Sequence, residues 1–428
     1  RYGARVLSFG VDELVALFGL EEADGRDTEL AVRSGLVLLR SLGASDVEPG
    51  VGIHAGRIAA AANVDVNAGD VSALLGQARE LCTILEGSLI ISDAAAKNVG
   101  RLFSLESAPG AGRTAARAWI VGEPRSPREA YGRFVGRLDE LKRLGGVLAR
   151  ASRRHLQVVG IVGEHGIGKS RLVYEMERRI QRGEFNIRCH LAECVPSGKS
   201  LPYSAIVAML RSLCGVREGD SPERIAAVEP RLRALGLHDE EVEIVLTELG
   251  LTRGDRAASA GVLKNAVAGM LDGLAKDQLH VFSWDNAQDI DAPSVELLSR
   301  VAERLERARL ILLFAARSGE AAHFRELPGY QEVQLGTLDE DDVYRLVCVR
   351  LGVREVPEAL FQFVHERCAG HPMFVEELLR EAQEAGAIVV EDKQITRLDL
   401  GGVLTVPRPL RSLLGDRIRR LEDPERDL

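Results

Sequence analysis

Residues 156–180 read LQVVGIVGEHGIGKSRLVYEMERRI. An apolar run, Leu156–Val162, leads into a glycine-rich turn, and a helical pattern leads out from Lys169. Buried parallel strands read as continuous apolar runs, so the stretch predicts strand, loop and helix in that order. Gly163, Gly166 and Gly168 let successive N–H groups turn inward as an anion nest, and the helix that follows adds the positive end of its dipole. With Glu164, His165 and Ile167 between them, and Lys169 and Ser170 after, the spacing is that of a P-loop in full. Lys169 supplies a point charge for the β- and γ-phosphates, and Ser170 a hydroxyl for Mg²⁺. Arg171, next in the chain, counts with the nucleotide-contacting residues. The expected cofactors are ATP or ADP with Mg²⁺.

Working outward, further apolar runs stand at Leu279–Trp284 and Leu310–Ala315, with Ile187–Leu191 a weaker candidate. Alternating with helical stretches, they predict a doubly wound parallel sheet over residues 134–335. A P-loop needs a carboxylate at the end of a nearby strand to hold the magnesium water shell. Asp285, ending HVFSWD, is the candidate metal residue beside Ser170. The next position, where an acidic residue would orient the attacking water, is Asn286. An amide cannot take the proton, so hydrolysis is expected to be slow; Asp289 or Asp291 is the alternative base. Arg317, ending ILLFAAR, is placed to sense the γ-phosphate as an electrostatic stabiliser. Lys169, Asp285 and Arg317 form the catalytic set.

On either side the pattern changes. Residues 1–122 carry short strands at Arg5–Ser8, Leu14–Phe18, Val51–His54, Leu89–Ser92, Leu102–Leu105 and Ala118–Val121, with a helix over Thr28–Leu42. They predict an α+β domain with helices on a mostly antiparallel sheet. Residues 123–133, rich in proline and arginine, read as a linker. From residue 336 the pattern is helical. Thr337–Glu340 fits a capping box, and helices follow over Leu360–Arg367, Phe374–Ala385 and Pro409–Leu421. Residues 336–400 form a lid and 401–428 begin another module. The chain starts at Arg1 in a strand-like segment and its last helix runs to the end, which suggests a piece of a longer protein.

Composition narrows the partners. The formal charge is −9 and only 4% of residues are aromatic, so neither a phosphate-neutralising surface nor stacking platforms are expected, and nucleic acid is disfavoured. No apolar run approaches the roughly 20 residues of a membrane span. Six scattered cysteines fit reduced thiols and a cytoplasmic location.

Taken in order, FVGRLDEL (134–141), the P-loop, LPYSAI (201–206), WDNAQDID (284–291), FAARSGE (314–320) and AGHPMFVEELL (369–379) resemble the STAND-type signalling ATPases of the AAA superfamily over about residues 133–428. The resemblance implies a nucleotide switch in which ADP holds a closed monomer and ATP opens it toward homo-oligomers. It places Val135, Gly136 and Arg137 beside the adenine, and makes His371 and Pro372 the lid motif that touches the phosphates. VPRPLRSLLGDRIRRLEDPERDL (406–428) looks like the entry to a winged-helix module. Residues 1–122 resemble a class III nucleotide cyclase domain of ferredoxin-like fold, entered partway, on VDELVALFG (11–19), VGIHAG (51–56) and EGSLIIS (86–92). That likeness makes Asp12 a metal-holding aspartate and Arg79 the transition-state arginine. It puts Leu75 where a ribose-orienting asparagine belongs, and Ser72 at a position often acidic, with Asp70 nearby. Cyclase activity is therefore not expected. The reading favoured is an ATP-dependent conformational switch in a multidomain regulator, working through other domains of the same protein. The alternatives are the regulatory part of an active adenylate cyclase producing cyclic AMP, and a transcription regulator or kinase-containing signalling protein.

Overall fold

The computed structural model describes residues 2–9, 12–20, 26–43, 48–56, 69–109, 117–125, 132–183, 185–251 and 260–400. The expected winged-helix entry at 401–428, most of the linker and the tip of the first hairpin lie outside them.

The N-terminal domain opens with an antiparallel hairpin of β1 (Arg5–Phe9) and β2 (Leu14–Leu17). Next come α1 (Asp27–Leu42), β3 (Val51–Ile53), α2 (Gly69–Cys82), β4 (Leu89–Ser92), α3 (Asp93–Val99), β5 (Phe103–Ser107) and β6 (Ala118–Pro124). A separate sheet runs β3-β4-β6-β5. Its β3–β4 pairing is parallel and its other two are antiparallel. Val32 of α1 packs with Leu89, Ile91, Val99 and Phe103 on one face of this sheet. The expected α+β pattern is thus present, with the hairpin standing apart from the main sheet.

After α4 (Leu138–Ser152), β7 (Gln157–Gly163) carries the apolar run into the phosphate loop, and α5 (Lys169–Arg182) leaves it. The sheet is completed by β8 (Ile187–Glu193), β9 (Leu279–Asp285), β10 (Leu310–Arg317) and β11 (Tyr330–Leu335). All four pairings are parallel, in the order β11-β7-β10-β9-β8. Every residue of β7 is buried, because helices cover both faces. Val159 and Ile161 pack against α4 and α5. Val158 and Val162 face a larger core built by α6 (Ser204–Cys214), α7 (Pro222–Ala226), α8 (Glu229–Ala234), α9 (Asp239–Leu249), α10 (Ala260–Asp277) and α11 (Ala292–Arg304). Trp284 lies fully buried there, stacked on Phe314 at 5.2 Å, and its indole N–H donates to the Ala205 carbonyl at 3.0 Å.

A short α12 (Ala322–Arg325) precedes β11, and the lid follows as α13 (Glu340–Leu351), α14 (Glu358–Cys368) and α15 (Pro372–Glu384). It ends in a hairpin, β12 (Ile388–Glu391) with β13 (Gln394–Leu398), that the helical pattern did not disclose. The cap of α13 is Asp339, which accepts from the Asp342 N–H at 2.8 Å. Thr337 is therefore not the capping residue: the helix begins two residues later than a Thr337 cap requires. Among the described residues no helix is long and apolar enough to cross a membrane, and all six cysteines carry free thiols.

Candidate functional site

The C-terminal edge of the parallel sheet gathers the polar groups. Gly166 (φ 72°) and Gly168 (φ 106°) take left-handed backbone conformations, which favour glycine. A Cβ on Gly166 would stand 2.6 Å from the Met373 sulfur of the lid, and one on Gly163 2.7 Å from Ile167. The loop is thus closed on its outer side by the lid and beneath by its own chain. Lys169 starts α5 and folds back, its Nζ donating to the carbonyls of Gly163 (3.0 Å) and Glu164 (2.8 Å). Burial pushes its amine down to about 8, and Asp285 opposes that shift.

Register brings the strand ends together. Arg317 pairs with Gly163 across β10 and β7, and the Ser318 N–H donates to the Gly163 carbonyl at 3.1 Å. On β9, side chains alternate: Val281 packs on the α5 side while Phe282 and Trp284 enter the opposite core. Asp285 therefore faces the α5 side, with Lys169 and Ser170. Asn286 sits at φ 51° and its N–H donates to Asp285 Oδ1 at 2.9 Å. The residue set fits a magnesium nucleotide: glycine-rich backbone N–H groups, a half-buried ammonium, a hydroxyl and a carboxylate, the last two being the hard oxygen donors that Mg²⁺ takes.

The neighbouring aspartates are occupied elsewhere. Asp289 is buried and paired with Lys199 at 3.3 Å. Asp291 accepts from the Tyr203 N–H, the Ser204 hydroxyl, the Ala205 N–H, and the N–H and hydroxyl of Ser294. It caps α11 and, through LPYSAI, the first turn of α6. Neither geometry matches the water-orienting alternative raised from sequence.

Of the segment expected beside adenine, Val135 packs against the lid core. Gly136 (φ 72°) closes on the Asp342 carboxylate. Arg137 is buried and donates to the carbonyls of Ile167 (3.2 Å) and Gly336 (2.5 Å), so its guanidinium ties the phosphate loop to the entry of the lid. Arg171 turns outward: it lies 5.8 Å over the Phe134 ring, donates to the Gly132 carbonyl at 2.8 Å, and lines a cleft of about 610 Å³ with Tyr174, Arg178 and Arg182. His371, buried at the head of α15, donates from Nε2 to the His165 carbonyl at 3.0 Å and stacks on Phe374 at 4.0 Å. Pro372 opens that helix at its first position, where a missing N–H costs nothing. Asp12 is exposed in the N-terminal domain. Arg79 forms an exposed pair with Glu13 at 2.5 Å.

Sequence reasoning missed Glu177, two turns into α5 on the Ser170 face. Its Oε1 is buried without a hydrogen-bond partner among the described residues. Burial, with Asp285 adding to it, raises the carboxyl to about 7. A folded-state pKa above the ordinary value favours the folded chain fully below about pH 4.5, and that contribution disappears as pH rises through 7. Glu177→Gln is expected to raise the melting temperature of the nucleotide-free protein at pH 8 by a few degrees, on the order of 1–3 kcal/mol, and to leave it unchanged at pH 5. Equal melting shifts at both pH values would show that the carboxyl is not held neutral.

A phosphate loop between a buried strand and its helix, with a carboxylate and an arginine on adjoining strand ends of a five-stranded parallel sheet, fits a P-loop α/β fold of the AAA type. Residues 133–313 match the family model described as an AAA ATPase domain, and residues 339–396 match a domain of unknown function (DUF8739). An uncharacterized protein of Rhizobium meliloti (strain 1021) is 25% identical over 267 residues, covering 58% of this chain and 25% of its own length. The chain spans about a quarter of that curated relative. Among solved structures, a RuvB variant of Thermotoga maritima is 16% identical with a TM-score of 0.35, covering 68% of this chain and 72% of its own. Drosophila ORC bound to DNA is 16% identical with a TM-score of 0.39, covering 68% and 66%. A signal transduction ATPase with numerous domains (STAND) from Pyrococcus horikoshii, with a tetratricopeptide repeat sensor, is 15% identical with a TM-score of 0.31, covering 69% and 33%.

Proposed function

We propose that the chain is a nucleotide-dependent conformational switch in which ATP or ADP at the phosphate loop sets the position of the lid. The observation that carries this reading is the contact of His371 with the His165 carbonyl. The lid rests on the very loop that would receive the phosphates. A bound triphosphate competes for the His371 N–H and for Lys169, whose ammonium now rests on loop carbonyls. A ligand shifts such an equilibrium only by its differential affinity for the two states; here the difference arises from whether His371 meets a phosphate oxygen or a carbonyl. Ser170 and Asp285 would hold Mg²⁺, and Arg317 would meet the γ-phosphate. The N-terminal domain is read as a regulatory relative of the class III cyclases: Arg79 is paired with Glu13 at the surface and Leu75 has no hydrogen bond to offer. The test is binding of a fluorescent ATP analogue with Mg²⁺, read beside the distance between probes on the lid and on α4. His371→Ala is expected to bind nucleotide yet lose the ATP-against-ADP difference in that distance. Folded protein without affinity for adenine nucleotides would end the switch model.

Hydrolysis is proposed to be slow because Asn286 replaces an acid. Left-handed backbone tolerates Asn and Asp alike, so Asn286→Asp keeps its φ of 51° and adds a carboxylate. Single-turnover ATP hydrolysis is expected to rise about tenfold or more, general-base catalysis being worth about 100-fold and upward when geometry is right. No gain would place Asn286 outside the water's reach.

A further inference from the structure

Glu193 ends β8 directly opposite Asp285 in parallel register. Paired residues of adjacent strands point to the same face, and Cys189, on the same strand and parity, packs with the α5 core. Glu193 therefore stands beside the proposed magnesium carboxylate, on the face of Lys169 and Ser170. Its two oxygens are taken by the N-terminal domain: Arg26 Nη2 approaches Oε1 at 2.6 Å and Arg33 Nη1 approaches Oε2 at 3.1 Å. Glu29 braces both arginines, accepting from Arg33 Nε at 2.8 Å and Arg26 Nε at 3.5 Å. The same domain reaches the lid, where Arg101 meets Glu377 at 3.1 Å and Glu376 at 3.6 Å.

We propose that Glu193 is the carboxylate that activates the attacking water, and that Arg26 and Arg33 hold it out of action until the lid moves. The inference rests on the nucleotide-switch reading and supplies its regulation. Asn286 cannot accept a proton, Asp289 is paired with Lys199, Asp291 is surrounded by donors, and Glu177 lies two turns along α5 from Ser170, away from the strand ends; among the described residues Glu193 is the acidic side chain level with Asp285 in the sheet. In the step, the water oxygen bonds to the γ-phosphorus as the bond from that phosphorus to the bridging oxygen breaks. ADP leaves with the electron pair, and the water proton passes to Glu193 and then to the released phosphate. Because Arg101 ties the same domain to α15, lid displacement draws α1 away from β8.

The test uses the full chain with Mg²⁺-ATP and the fluorescent analogue. Arg26→Ala/Arg33→Ala is expected to hydrolyse ATP about tenfold faster than wild type. Adding Glu193→Gln should return the rate to the wild-type value, with analogue affinity within about threefold throughout. Amide hydrogen exchange along Asp27–Leu42 should quicken with ATP relative to ADP. Glu193→Gln alone, a same-sized change that tests the clamp even if the double variant does not fold, should quicken it without nucleotide. An unaltered rate in the folded double variant with affinity kept, a triple variant that stays fast, or unchanged α1 exchange in Glu193→Gln overturns the proposal. Wild type that binds no analogue sinks the switch reading itself, and this inference with it.

Discussion

Lys169→Ala is expected to lower affinity for ATP about 100-fold, which corresponds to about 2.7 kcal/mol, while the fold persists. The side chain heads α5 and, among the described residues, its Nζ donates to the loop carbonyls of Gly163 and Glu164, so its removal leaves the buried strand and helix packing in place. Those carbonyls lose one donor, a far smaller effect than a triphosphate losing its cation. A proton signature accompanies the loss. Burial brings the amine down to about 8, and phosphate oxygens restore its ordinary basicity, so binding at pH 8.5 takes up roughly three quarters of a proton, while binding at pH 6.5 takes up almost none through Lys169. Calorimetry in buffers of different ionisation enthalpy reads this directly. Lys169→Ala should abolish the uptake, and an uptake that survives the substitution belongs to another group.

The largest structural effect is expected at Asp291. Its carboxylate satisfies N–H groups at the starts of two helices that are far apart in sequence. It also steadies Tyr203, a bulky residue held at φ 61°, where L side chains are strained. Asp291→Ala leaves these buried donors without their acceptor and should cost about 3–5 kcal/mol, an apparent melting shift on the order of 10 °C. Asp291→Asn keeps one carbonyl acceptor and should recover part of it. A melting temperature unchanged in the alanine variant would mean that water replaces the carboxylate at no cost.

What the sequence discloses follows range. The phosphate loop was legible because its chemistry is local: glycines, lysine and hydroxyl occupy eight consecutive positions, and an apolar strand and a helix flank them. Asp285 and Arg317 were legible as the last residues of apolar runs. Glu193 was not, because the weaker run was read only to Leu191, and the importance of its end comes from lying next to Asp285. Glu177 looked like one more charged residue on a helix; only the packed α5 face reveals a buried carboxyl. The α13 cap was misassigned because Thr337 and Asp339 are both good capping residues and the helix start decides between them. The ion pairs that join the N-terminal domain to β8 and α15 have no local signature at all.

The lid contact has a temporal consequence. His371 meets a carbonyl 206 residues earlier in the chain, whereas Lys169 reaches partners five and six residues away. Loops that long close at a higher entropic cost than short ones, and chain regions emerge from the ribosome in order. The loop hangs from β7, whose sheet neighbours β10 and β11 emerge later but still ahead of α15, so the sheet that carries the cradle can be completed on the nascent chain before the segment that covers it has been released.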